Sequence, residues 1–195
     1  MLRTILNSKI PLWLILSIPA ALMTYGYLSG RSDAIDLLHP SGEFSARLMI
    51  VAMMIAPLLT LFGNKSWLLW LLARRRSLGV AAFGYAMLHL IFYVIDMETL
   101  ADIAAEITAL GIWTGWAAFL LMLVPAVISN QIALRRLKRM WKQIQRLVYP
   151  AAVLTLVHWI FIDNDLIPAL VHFVPLALLN AARFLKLYVR SPQGV

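Results

Sequence analysis

Three of the four histidines in this chain, His89, His158 and His172, fall inside long uncharged apolar runs, and the fourth, His39, lies between two such runs. An ionisable side chain among apolar neighbours is costly to keep, so each is first a candidate for chemistry. An imidazole can ligate a metal, move a proton or hydrogen-bond across a helix interface. His89 precedes Asp96 by seven residues and His158 precedes Asp163 by five, which in helices is a rise of about 10 Å and about 8 Å. The two rings therefore sit at similar depth on separate helices. Matched depth is what a porphyrin iron needs, with one axial nitrogen from each side and apolar walls around its ring. A backbone carbonyl or water would satisfy the second nitrogen of each imidazole. Hydrogen bonding between helices is the competing reading. His172 follows Asp165 by seven residues, so it is also about 10 Å deep and is a competing ligand.

Other chemistries lack their parts. The chain has no cysteine, which removes thiol catalysis, disulfides, iron–sulfur ligation, zinc–thiolate sites and covalent haem attachment. Zinc hydrolysis wants three ligands and a carboxylate base, yet every carboxylate falls in or beside the segments between runs. There is no glycine-rich phosphate cradle and no serine in a nucleophile-elbow pattern. Met53 and Met54 read as packing.

The elements that must position the histidines are membrane helices. Of 195 residues, 62% are hydrophobic and 13% charged, with a mean hydropathy of +0.82, against about 25% charged in soluble domains. A soluble enzyme is excluded. The net charge of +8 comes in short bursts between uncharged runs, which cannot assemble a groove for nucleic acid. A crossing takes about 20 apolar residues, and six spans are expected, over about 10–28, 48–64, 77–95, 110–131, 147–162 and 166–182. Arg146 snorkelling and Asp163 in the headgroups make the short fifth span workable. Prolines 19, 57, 125, 150, 168 and 175 then mark kinks. The first run has Arg3 and Lys9 ahead of it, as a signal peptide would, but lacks a small-x-small cleavage site and reads as an uncleaved helix. With no internal repeat, the expectation is one all-α bundle.

Charge sets the expected orientation. With both ends in the cytoplasm, the inner segments collect Arg3, Lys9, Lys65, Arg74, Arg75, Arg76, the six cations from Arg135 to Arg146, Arg183, Lys186 and Arg190, and no carboxylate. The outer segments hold all nine carboxylates against Arg31 and Arg47. Such asymmetry is the positive-inside pattern. The cluster from Arg135 to Arg146 is read as part of it, in preference to a dedicated partner or anionic-lipid site. Trp67, Trp70, Trp141 and Trp159 are placed near the interfaces as anchors.

The motifs also carry a resemblance. Arg74-Arg75-Arg76-Ser77-Leu78-Gly79, running through Phe83, Tyr85 and Ala86 to Leu88-His89-Leu90, resembles the third-helix signature of the MsrQ family. That family supplies the haem-binding membrane subunits of periplasmic protein-methionine-sulfoxide reductase systems, within the ferric-reductase-like transmembrane group. Leu38-His39-Pro40-Ser41-Gly42 and Ala56-Pro57-Leu58 are similar to its second-helix elements. Trp141 to Tyr149, followed by His158-Trp159, resembles its fifth-helix signature. The likeness spans roughly Leu37 to Phe184. One departure stands out: where the family pattern has a histidine, thirteen residues before His158, this chain has Gln145. Thirteen residues are about 20 Å of helix, the separation of two haem levels. On the third helix the corresponding inner level holds Arg75 and Arg76, which do not ligate haem iron.

The resemblance implies a bacterial inner-membrane electron conduit, a subunit of an oxidoreductase more than a complete enzyme. One haem b near the outer face would be held by His89 and His158. The electron donor would be the quinol pool or a flavin (FMN). The acceptor would be a periplasmic molybdenum-containing reductase subunit that repairs methionine sulfoxide. Arg47, at the outer entrance of the second span, and His39, in the loop, are candidate haem-edge contacts, each weighed against an ordinary interfacial or solvated role. Arg75 and Gln145 would line a quinone pocket or close the inner level. Two alternatives stay open, a metal reductase without a dedicated partner and a haem-free scaffold.

Overall fold

Lipid offers no hydrogen bonds, so the apolar runs must satisfy their backbone groups within helices. The computed structural model, which describes residue 8 and residues 10–190, is built this way. Its helices are α1 (Ile10–Leu28), α2 (Ala34–Phe62), α3 (Ser66–Asp96), α4 (Leu100–Glu106), α5 (Leu110–Val127), α6 (Gln131–Leu137), α7 (Arg139–Gln145), α8 (Val148–Asp163) and α9 (Leu166–Arg190). Six helical segments are long and apolar enough to cross a membrane, α7 and α8 counting together as one. The chain is an all-α, multi-pass membrane protein. Of the cations used to orient it, Arg3, Lys9 and the side chain of Arg190 lie outside the described residues.

Two helices start well before the hydropathy signal. The second span was expected from residue 48, yet α2 begins at Ala34. Its first turn is held by the Asp36 carboxylate, which accepts from the backbone N–H of Asp33 at 3.2 Å. Ser41 and Ser45 face inward, Ser41 donating to Leu37 O and Ser45 to Ala82 O of α3 at 2.9 Å. Hydropathy reports the lipid-embedded stretch, whereas capping and inward-facing hydroxyls decide where the helix starts. His39 is consequently on a helix, not in a loop, and Arg47 lies thirteen residues into α2, not at its entrance. Likewise α3 begins at Ser66, so Arg74, Arg75 and Arg76 are helical.

The α2–α3 pair and the α5–α8 pair make the largest helix contacts, and α9 packs on α2. Ala46, Ala82, Ala151, Ala152 and Ala169 are 0–5% exposed in the core, small residues that let backbones approach. Met49, Met53, Phe173 and Leu176 fill the remaining space. Outward faces stay apolar, Leu22 and Leu178 each being 64% exposed, as lipid contact requires. Asn164, at φ 52°, makes the left-handed turn between α8 and α9, a conformation asparagine tolerates. Trp159, expected at an interface, is instead 7% exposed within this core.

Helix α1 is the most loosely attached span and is held by a specific device. The Tyr85 hydroxyl donates to Leu16 O at 2.7 Å and accepts from Ala20 N at 3.1 Å, inserting itself into the α1 ladder beside Pro19. Tyr85→Phe should let Leu16 O and Ala20 N close back into the α1 ladder but remove the hydrogen-bonded link from α3 to α1, at a cost of about 1 kcal/mol. The expected result is a lower unfolding midpoint in detergent, with early proteolysis confined to α1.

Candidate cofactor site between α3 and α8

The polarity of the bundle follows from its helix order. Asp96, Asp163 and Glu43 come together at one end, and Arg75, Arg76 and Arg183 at the other. Closer to the acidic end, α2, α3, α5 and α8 enclose a cavity of about 430 Å³. Its walls include Ala86, Phe119, Met122 and Trp116, and its mouth includes Glu43, Asp96, Glu106 and Asp163. This volume is in the range of small-molecule and cofactor sites.

His89 from α3 and His158 from α8 face each other in this cavity, ring centres 6.0 Å apart and planes at 82°. Each ring is fixed from behind by a backbone carbonyl. His89 Nδ1 lies 2.9 Å from Leu38 O and His158 Nδ1 lies 2.7 Å from Gly111 O. A carbonyl only accepts, so Nδ1 carries the proton in both rings and Nε2 keeps its lone pair. Among the described residues neither Nε2 has a hydrogen-bond partner. Two imidazoles presenting lone pairs in an apolar cavity would be suited to hold a metal.

Two glycines make room for the rings. A Cβ on Gly115 would stand 2.6 Å from His158 Nδ1, and one on Gly42 would stand 3.1 Å from His89 Nδ1. Tyr93 also lines the cavity, and its hydroxyl oxygen is shut off from solvent with no hydrogen-bond partner among the described residues. Such an orphaned donor beside apolar walls fits a polar edge of a bound group. These features together fit a haem. The sequence alone marks Gly42 only through the Leu38 to Gly42 motif and gives no role to Gly115 or Tyr93. A glycine within an apolar span, as in Trp113-Thr114-Gly115-Trp116, is the available signal, because membrane helices use small residues for close approach.

The other candidates are placed differently. His39 lines the mouth, its Nδ1 3.4 Å from Asp163 Oδ2. Asp163 also accepts from Trp159 Nε1 at 2.7 Å. Arg47 is not among the lining residues; it pairs with Glu43 and donates from Nε to His172 Nε2 at 3.1 Å. His172 also has Nδ1 2.7 Å from Pro168 O, and its ring lies against Trp159, centres 5.2 Å apart. Both of its nitrogens are therefore engaged away from the cavity. Arg75 donates from Nε to Ala52 O at 3.0 Å. The Gln145 amide donates to Pro125 O at 3.1 Å and to Ser129 Oγ at 3.2 Å, tying α7 to the end of α5.

Residues 41–156 match the family described as ferric reductase like transmembrane component. Among curated proteins, the chain is similar to the protein-methionine-sulfoxide reductase heme-binding subunit MsrQ of Xanthomonas oryzae pv. oryzae. The identity is 33% over 170 residues, covering 85% of this chain and 76% of that protein. The subunit of the same name from Xanthomonas campestris pv. campestris is 33% identical over 80% of this chain and 72% of its own length. That of Pectobacterium atrosepticum is 31% identical over 80% and 76%. No solved structure matches the chain. A match over more than half of the chain, joined to relatives of this identity and coverage, places it in the MsrQ family of the ferric-reductase-like transmembrane group.

Proposed function

We propose that this chain is a haem-binding electron-transfer subunit of the bacterial inner membrane, serving a reductase that repairs methionine sulfoxide in proteins. The observation that carries the reading is the pair of backbone-fixed imidazoles of His89 and His158, with free Nε2 atoms in one apolar cavity. These two residues would hold a single b-type haem, whose iron supplies one-electron chemistry by changing oxidation state. The Leu38 and Gly111 carbonyls fix the tautomer and raise ligand basicity, as outer-shell acceptors do. Phe119, Met122 and Trp116 exclude water, which sets the dielectric around the metal.

The topology that fits is the one with both termini cytoplasmic and the acidic end periplasmic. In that frame the site lies nearer the periplasm, and the electron leaves toward a molybdenum-containing partner subunit. The donor is membrane quinol, or a flavin at the cytoplasmic end. Arg75 is tied through Nε to Ala52 O and the Gln145 amide to Pro125 O and Ser129 Oγ, and neither side chain is a normal haem-iron ligand, which supports a single haem. His39 at the cavity mouth supports a contact with the haem edge, whereas Arg47, paired with Glu43 and His172, lies outside the cavity lining.

Purified protein tests this directly. Expression with ample haem should yield one haem per chain and a reduced-minus-oxidised spectrum of b type. Colourless protein would refute the haem reading, and two haems per chain would refute the single haem.

A further inference from the structure

A charged cluster stands beside the histidine cavity, where α9 packs on α2. Arg47 pairs with Glu43, one turn away on α2, and donates from Nε to His172 Nε2 on α9 at 3.1 Å. His172 is itself fixed, with Nδ1 2.7 Å from Pro168 O and its ring centre 5.2 Å from that of Trp159. Glu43 and Trp159 also line the cavity, so the cluster and the cavity share a wall.

The cluster lies within the apolar belt of the bundle. Along α9, Ile167 and Val171 are exposed on the acidic side of His172, and Val174 and Leu178 on its basic side. On α2, Val51 is exposed one turn inward of Arg47. The Arg47 side chain is nevertheless 47% exposed. A cation open to lipid is costly, and by default it marks a functional site. Holding the helices together uses only part of the cluster. Arg47 Nη1 and Glu43 Oε2 have no hydrogen-bond partner among the described residues.

This leaves a donor and an acceptor side by side on an ion pair whose charges cancel. A phosphate would meet the Glu43 carboxylate, so the pair suits a neutral head that accepts at one oxygen and donates from another. The surrounding exposed apolar residues require that head to arrive on an apolar carrier from the bilayer. A hydroquinone meets each condition, since it has two oxygens able to accept or donate and a lipid-soluble body. We propose that Arg47 and Glu43, held in place by His172, bind the head of a lipid-soluble hydroquinone between α2 and α9. This placement rests on the electron-transfer reading above, in which quinol is one of two donors. Oxidation to the quinone breaks two O–H bonds and releases two protons and two electrons. Glu43 takes the protons in turn and passes them to water at the cavity mouth. The electrons cross the shared wall singly, each reducing one ferric haem iron to ferrous.

Binding is measured apart from haem in full-length His89→Ala protein in detergent. Decylubiquinone should raise its thermal stability, and dioleoylglycerol, a neutral lipid with a hydroxyl head, should not. Arg47→Gln in that background should weaken the apparent affinity about tenfold, the worth of one charge-assisted hydrogen bond. Arg31→Gln, which removes an exposed cation ahead of α2, should leave it unchanged. In haem-loaded protein, Glu43→Gln should slow haem reduction by reduced decylubiquinone about a hundredfold, as loss of a general base does, while the thermal response persists. Should Arg47→Gln fail to fold, Arg47→Lys keeps the charge without the fork and should bind with intermediate affinity. No stabilisation by decylubiquinone, an equal response to dioleoylglycerol, or equal loss in Arg31→Gln would overturn the proposal. Undiminished haem reduction in Glu43→Gln and Arg47→Gln would also overturn it. Colourless wild-type protein that binds decylubiquinone through Arg47 would uphold the site and refute only the haem reading.

Discussion

His89→Ala and His158→Ala should each abolish haem retention, to less than about a tenth of the wild-type haem-to-protein ratio, while His172→Ala should keep it. The expectation follows from which nitrogens are free. His89 and His158 each spend Nδ1 on a backbone carbonyl and leave Nε2 in the cavity. His172 spends both nitrogens, on Pro168 O and on Arg47 Nε. Loss of even an outer-shell partner of a metal ligand costs about 10–100-fold in affinity, and loss of the ligand itself should cost at least as much. Added imidazole should restore a b-type spectrum to the alanine variants, because the cavity has room for a free ring where the side chain was. A purely structural histidine would show no such rescue. Retention of haem by both variants, together with its loss in His172→Ala, would move the ligand assignment to α9.

The glycine series probes the same geometry from the opposite wall. Gly115→Ala puts a methyl 2.6 Å from His158 Nδ1 and 2.8 Å from its Cε1, inside any tolerated contact. The imidazole is held by Gly111 O at 2.7 Å, so it cannot yield without breaking that bond and turning Nε2 away. Overpacking of this kind costs about 1–3 kcal/mol, added to about 1 kcal/mol for a lost hydrogen bond. Gly42→Ala approaches His89 less closely, at 3.1 Å, and Gly84→Ala meets nothing within 4 Å. The expected order of damage to haem content and to the unfolding midpoint is Gly115→Ala, then Gly42→Ala, with Gly84→Ala at wild type. Indifference at Gly115 would mean that the ring has a second resting position.

The glycine result depends on contacts between helices far apart in the chain, and here the limits of sequence reading become visible. Composition alone required membrane helices, since 13% charge and a mean hydropathy of +0.82 leave water no role as the main solvent. The acidic and basic ends were also legible, because consecutive spans joined by short connections must alternate direction. Depth along a helix is a one-dimensional quantity, so residue counting from Asp96 and Asp163 was sufficient to put His89 and His158 at one level. Counting could not separate His172 from them, for its depth is the same.

Direction around a helix axis separated them, and that depends on what each helix packs against. Close α5–α8 packing, permitted by Gly111 and Gly115, turns His158 onto a carbonyl and into the cavity. Packing of α9 on α2 turns His172 onto Arg47. The same limit explains Trp159, whose indole reads as an interfacial anchor but is buried against His172 and Phe173 with its N–H on Asp163. It also explains the early start of α2, where Ser45 and Ser41 look polar in the sequence yet are satisfied by helix carbonyls. Solvent preference and axial depth are properties of a segment and survive in the sequence. Azimuth and hydrogen-bond partner are properties of pairs of segments, and only the packed bundle determines them.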